Sequence, residues 1–103
     1  MNEKIVFARP IGEVACIIGN LFYGLLPPCD HAKEGFLTVR YDSGQSCDYY
    51  VGADMQLAIQ GTTTSGRYAR ILVFRDRCEF YGSREDLDAV LNGRCPERRC
   101  SHG

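Results

Sequence analysis

The chain has 103 residues, 45% of them hydrophobic and 24% charged, a balance typical of one folded globular domain and not of a disordered segment. Its formal net charge of −1 provides no overall field that would attract nucleic acid or an anionic membrane surface. The most apolar stretch, residues 14–26, is shorter than the about 20 residues of a transmembrane helix, and its flanks do not resemble a secretory leader. We therefore predict a single α+β domain over residues 1–103, located in the cytoplasm.

The first part of the chain predicts a short strand and then a longer apolar element. Residues 4–8 form an apolar run that indicates a strand. Residues 13–26 repeat apolar side chains at helical spacing, which favours a helix. Gly19 and Gly24 each weaken a helix there by about 1 kcal/mol. Two short strands therefore remain the alternative for this segment.

The middle of the chain predicts a hairpin and a third strand. Residues 36–41 and 47–51 alternate between apolar and polar side chains, and residues 42–45 between them have the composition of a turn. Residues 55–60 alternate in the same way. Residues 61–66 begin and end with glycine and hold four small hydroxyl side chains, which indicates an exposed, flexible loop.

The last third predicts two more strands and a helix. Residues 67–75 form a long strand that returns as residues 78–81. Ser83 has the properties of a helix N-cap, with Asp86 as a partial capping box, and Gly93 those of the C-cap. The whole pattern predicts a mostly antiparallel, meandering sheet of five to six strands with one N-terminal and one C-terminal helix.

Both faces of the long strand carry apolar side chains, so two helices on one side of the sheet would leave the other side bare. On that second side, Leu72 and Phe74 would be exposed to water, together with Phe36. Burying three such side chains would contribute about 5–9 kcal/mol, and two-fold dimers are the commonest oligomers. We therefore predict a homodimeric interaction protein. Its predicted interface or ligand-binding residues are Tyr68, Arg70, Leu72 and Phe74.

A small-molecule binding module is the alternative function. Six tyrosines and five phenylalanines supply many amphipathic rings. Three tyrosines, Tyr41, Tyr49 and Tyr50, fall on the predicted hairpin. A curved sheet with such rings and one cation is suited to an aromatic or anionic ligand.

The six cysteines are predicted to be reduced thiols, because Cys16, Cys47 and Cys78 fall at apolar or inward-facing positions. Whether Cys95 and Cys100 are bridged stays open. No metal site or cofactor is predicted, since the two Cys-x-His motifs, at residues 29–31 and 100–102, have spacings that zinc sites seldom use.

Catalysis is not favoured by any motif, and no catalytic residue is predicted. The hydroxyl side chains of residues 62–65 have no evident base, and an enzyme using a Cys–His pair near His31 or His102 is the rival interpretation. Nucleic acid is an unfavoured partner, because the arginines between residues 67 and 84 alternate with acidic residues.

Overall fold

The computed structural model describes residues 3–28, 35–52 and 57–92. Two helices and seven strands in these ranges confirm the α+β class. In chain order the elements are β1 (Glu3–Phe7), α1 (Ile11–Leu21), β2 (Leu25–Leu26), β3 (Phe36–Tyr41), β4 (Ser46–Tyr50), β5 (Leu57–Thr62), β6 (Tyr68–Val73), β7 (Cys78–Gly82) and α2 (Arg84–Leu91).

The strands form two antiparallel sheets, so the predicted single sheet of five to six strands was wrong. The larger sheet has the order β1-β7-β6-β5, and the smaller one has the order β2-β3-β4. The physical reason lies in α1, where seven of the eleven residues are buried. A helix that is apolar on most sides must be covered on more than one side, and one sheet covers a single stripe.

One hydrophobic core joins both sheets and both helices. The four-stranded sheet contributes Ile71, Val73 and Phe80, and the three-stranded sheet contributes Leu37 and Val39. Helix α1 and Leu87 of α2 complete the same cluster. A shared core of this kind is what holds the two sheets at a fixed distance from each other.

The N-terminal helix is shorter than predicted, because its last apolar residues belong to a strand. Residues 13–26 were expected to form the helix, whereas α1 ends at Leu21 and Phe22 has extended backbone angles. Gly24 then turns the chain with φ of 90°, a conformation that glycine adopts readily. Leu25 and Leu26 follow as β2 and pair with β3. The alternative of two short strands is also wrong, because most of the segment is helical and it holds one strand, β2, at its end.

The loop between β5 and β6 is anchored, which contradicts the predicted flexible loop. Strand β5 extends to Thr62, and Thr63 is buried. Asp86 of α2 accepts hydrogen bonds from Ser65 Oγ (2.7 Å), Arg67 Nη1 (2.9 Å) and Thr63 Oγ1 (3.1 Å). The predicted capping box is also wrong, because the Ser83 side chain makes no cap hydrogen bond and Asp86 is directed to the loop. Helix α2 ends at Leu91, and the predicted C-cap at residue 93 lies outside the described residues.

The cysteines occupy three different environments. Cys78 is a buried free thiol, and burial raises its pKa to about 11. Cys47 is a free thiol on the same face of β4 as Tyr49, as predicted, but it is exposed and not buried. Cys16 is disulfide-bonded, which corrects the expected reduced thiol, and its partner lies outside the described residues. The three remaining cysteines, Cys29, Cys95 and Cys100, also fall outside them.

Candidate functional site

Three of the four predicted interface residues lie together on the outer face of the four-stranded sheet. Tyr68, Arg70 and Leu72 alternate along β6 with the buried residues Ala69, Ile71 and Val73. Phe74 follows the end of β6, where its backbone N–H donates to the Arg77 carbonyl at 2.8 Å. The Arg77 guanidinium carbon lies 4.1 Å from the centroid of the Phe74 ring, a cation–π contact.

The centre of this outer face is charged, which the sequence did not indicate. Glu79 of β7 pairs in register with Leu72. Its carboxylate accepts hydrogen bonds from Tyr81 (3.0 Å) and Arg77 (3.1 Å) and lies 3.9 Å from Lys4 Nζ. Burial raises the pKa of Glu79, but the hydrogen bonds from Tyr81 and Arg77 and the charge of Lys4 outweigh it and leave the pKa lowered. A satisfied network of this kind is typical of a sheet with one wet face.

Apolar side chains are exposed on either side of that charged centre. Val6 of β1 is 55% exposed and Tyr68 of β6 is 57% exposed. Neither Leu72 nor Phe74 belongs to the hydrophobic core or packs against it. The face therefore mixes rings, aliphatic groups and ion pairs, and it is less apolar than the sequence suggested.

A half-open cavity of about 510 Å³ lies between the two sheets. Two of its residues, Tyr41 and Tyr49, are ring-bearing positions of the predicted hairpin, but no sequence pattern indicated the cavity. Its lining comes from the turn after α1, from β2, from the hairpin of β3 and β4, and from β5. The lining residues are Phe22, Tyr23, Leu25, Val39, Tyr41, Tyr49, Leu57, Ala58, Ile59, Gln60 and Gly61. We call this cavity the inter-sheet groove.

One wall of the inter-sheet groove is the inner face of the small sheet. Val39 and Tyr41 lie two residues apart on β3, and Tyr49 stands on the neighbouring β4. A hydrogen bond with the Tyr41 side chain, together with that phenol's charge and with burial, raises the pKa of Tyr49 to about 12. Because a hydroxyl both donates and accepts, this wall combines ring surfaces with two adaptable polar groups.

The opposite wall is β5, which is an edge strand of the large sheet. One end of that edge is closed by the chain that leaves α1. There the Tyr23 N–H donates to the Thr62 carbonyl at 2.8 Å, and the Thr64 N–H donates to the Leu21 carbonyl at 3.0 Å. The groove therefore follows residues 57–61 and stops where these two hydrogen bonds begin.

The hydroxyl cluster near β5 has an acidic partner that the sequence did not reveal. Ser65 Oγ lies 2.7 Å from Asp86 Oδ1 and 2.9 Å from Thr63 Oγ1. A nucleophile needs a base and an orienting group within reach of a reacting atom. Both carboxylate oxygens of Asp86 instead accept hydrogen bonds that hold the loop against α2. The arrangement is therefore a structural anchor. Both predicted histidine bases, His31 and His102, lie outside the described residues.

Other kinds of site find no support in the described ranges. Among residues 3–28, 35–52 and 57–92, no group of three or more histidine, cysteine or acidic side chains could hold a metal ion. Neither helix described by the structure has the length and apolarity needed to cross a membrane. No family model matches the chain, and neither the curated proteins nor the solved structures compared with it include a match.

Proposed function

We propose that this protein is a small binding module whose ligand occupies the inter-sheet groove. The observation that carries the proposal is the groove itself, a cavity of about 510 Å³ with an aromatic and aliphatic lining. Ligand sites have volumes of about 300–1,000 Å³ and few, well-placed polar groups. Tyr41 and Tyr49 supply such groups here. The expected guest is mainly apolar and carries at least one hydrogen-bond acceptor.

The neutral dye 6-propionyl-2-(dimethylamino)naphthalene is a suitable probe, because it joins aromatic rings to an uncharged carbonyl acceptor. We expect the folded protein to enhance its fluorescence in a saturable way. Replacing Tyr49 by phenylalanine removes one hydroxyl from the groove and should weaken binding about fivefold, the effect of one hydrogen bond of about 1 kcal/mol. The dissociation constants come from titrating the dye with protein.

Tyr50→Phe is the matched control for this experiment. Tyr50 lies on the face of β4 opposite to Tyr49. Its ring contacts the Phe36 ring edge-on, with 5.4 Å between the two ring centroids. It makes no part of the groove lining. The control should therefore bind the dye like the wild-type protein. Equal losses in the two variants, or no saturable binding by the folded protein, would count against the groove as the ligand site.

A homodimer formed through the outer face of the four-stranded sheet is the second candidate function. The exposure of Val6 and Tyr68 on a face that carries no core residue supports it. Light scattering coupled to size-exclusion chromatography should then give a dimer at micromolar concentration. Leu72→Asp should yield a monomer, while Ala89→Asp, on the exposed side of α2, should not. A monomeric wild-type protein would contradict this candidate, and it would have no bearing on the proposal that the groove binds a ligand.

Location in the cytoplasm also remains a proposal. The disulfide at Cys16 counts against a reducing compartment, because such bonds persist mainly in oxidising ones. Peptide mapping of protein purified with its thiols blocked at lysis would decide the matter. Cys16 blocked as a free thiol supports a cytoplasmic protein, and Cys16 recovered in a disulfide opposes it.

A further inference from the structure

We propose that the guest of the inter-sheet groove is an extended peptide segment that adds to β5 as a further strand. This inference rests on the proposed function of the groove and names the chemical class of its ligand. Strand addition supplies affinity through main-chain hydrogen bonds and specificity through pockets for alternate side chains. Four features of the structure support it: the direction of the β5 main-chain groups, the lack of protection on that edge, the shape of the groove and its lack of charge.

The main-chain groups of β5 that face the groove can be assigned from the hydrogen bonds at its end. The Thr63 N–H donates to the Arg67 carbonyl at 2.7 Å, on the side of β6. The Thr62 carbonyl points the other way and accepts from Tyr23. Alternation in an antiparallel strand places the N–H and C=O of Ala58 and Gln60 on the same outward edge as Thr62. No main-chain partner for these four groups is found among the described residues.

Strand β5 is also the least protected edge in the described part of the chain. Its sequence, LAIQGT, contains neither a charged residue nor a proline. By contrast, the other edge of the same sheet, β1, begins with Glu3 and Lys4. In the small sheet, the edge strand β4 carries Asp48, and β2 has only two residues. Proteins normally blunt an exposed edge with charges, proline or shortness, so an edge without these features is suited to pairing.

The extent of the groove favours a single extended strand as its occupant. Residues 57–61 of β5 span about 14 Å, and the wall formed by Tyr41 and Tyr49 lies across the groove from them. The eleven lining residues are fewer than the about 20–30 residues that each partner contributes to a stable protein–protein interface, so a single extended segment matches the groove better than a second copy of the chain.

The lining of the groove indicates the composition of the peptide. None of the eleven lining residues is charged. A charged side chain on the guest would be desolvated there without a partner, which is costly. The matching peptide therefore carries uncharged residues with β-branched or aromatic side chains toward the Tyr41 wall.

The probe for this inference is the peptide acetyl-Thr-Val-Thr-Val-Thr-amide, titrated into ¹⁵N-labelled protein and followed by NMR. We expect a dissociation constant below about 1 mM, with slower hydrogen exchange at the amides of Ala58 and Gln60. Ala58→Pro removes an outward N–H without removing a bond to β6, a substitution that edge strands tolerate. This variant should bind the peptide at least tenfold more weakly, and its amide spectrum reports whether it is folded.

Two N-methylated peptides test the same point without changing the protein. One is methylated at both valines and the other at the first and last threonines, so each blocks main-chain N–H groups on one side of the strand. Strand addition predicts that one of the two loses binding at least tenfold and the other does not. Equal affinities of both, or no binding of the parent peptide, overturn the inference.

The two proposals can fail separately. If the neutral dye binds and responds to Tyr49→Phe while the peptide does not bind, the groove is a small-molecule site and strand addition is wrong. If the free protein is a dimer whose Ala58 and Gln60 amides are already protected from exchange, the occupant is a second copy and the peptide inference is overturned. If neither dye nor peptide binds, both proposals fail.

Discussion

Replacing Asp86 by alanine is expected to lower the free energy of unfolding by about 3 kcal/mol. The Asp86 side chain is 7% exposed and accepts hydrogen bonds from Thr63, Ser65 and Arg67. Its removal takes this acceptor away from three donors, the two hydroxyls and the guanidinium. A buried polar group that loses its partner costs about 1–3 kcal/mol, and bonds to charged groups lie at the upper end. The loss is large because one side chain connects α2 to the β5–β6 loop.

Urea denaturation followed by circular dichroism measures this loss. Glu85→Ala is the matched control, because it removes the same charge from the same first turn of α2. The Glu85 side chain is 82% exposed, and its nearest Arg67 contact is 3.8 Å, so we expect a change below about 1 kcal/mol. Equal stabilities of Asp86→Ala and the wild-type protein would show that the loop is not held by this carboxylate.

The anchored loop shows where local sequence patterns stop being informative. Glycines and small hydroxyl residues at positions 61–66 signal a mobile loop when they are considered alone. The residue that immobilises them, Asp86, lies 21 positions beyond Ser65 and belongs to a helix start where an acidic residue needs no further explanation. A contact between such distant positions depends on tertiary structure, so the local pattern could not predict it.

Strands and their faces were predictable because the period of two is a local property. Strand β3 has the predicted bounds, and β6 has the predicted division between Ile71 inside and Leu72 outside. The number of sheets was not predictable in the same way. It depends on the apolar surface of α1, which needs cover on more than one side.

The inter-sheet groove could not be predicted from the sequence, for a related reason. Its two walls are β5 and the β3–β4 hairpin, and no sequence pattern indicates that these two elements face each other. Tyr41 and Tyr49 were recognisable as ring-bearing positions on one hairpin, but their common face becomes a cavity wall only when the second sheet stands opposite. The outer-face residues Tyr68, Arg70 and Leu72 were simpler to group, since they share one strand.

Replacing Gly19 by alanine is expected to lower the free energy of unfolding by about 2–3 kcal/mol, although alanine is the better helix former by about 1 kcal/mol. A Cβ atom at this position would lie within 2.5 Å of the Leu26 carbonyl carbon and of the Pro27 nitrogen. Both are main-chain atoms, which cannot rotate away as a side chain would. Helix α1 and the segment through β2 must therefore separate. The glycine that weakens the helix in isolation is what permits the close packing.

This separation should also reach the binding site, because Leu25 of β2 and Tyr23 before it line the inter-sheet groove. We expect Gly19→Ala to weaken dye binding under conditions where the variant is still folded. Asn20→Ala is the control on the same helix, at an exposed position, where the lost hydrogen bond to the Cys16 carbonyl and the gained helix propensity nearly cancel. Its stability should change by less than about 1 kcal/mol, as measured by urea denaturation. If Gly19→Ala is as stable as this control, α1 and β2 do not touch through their main chains, and β2 does not fix the shape of the groove.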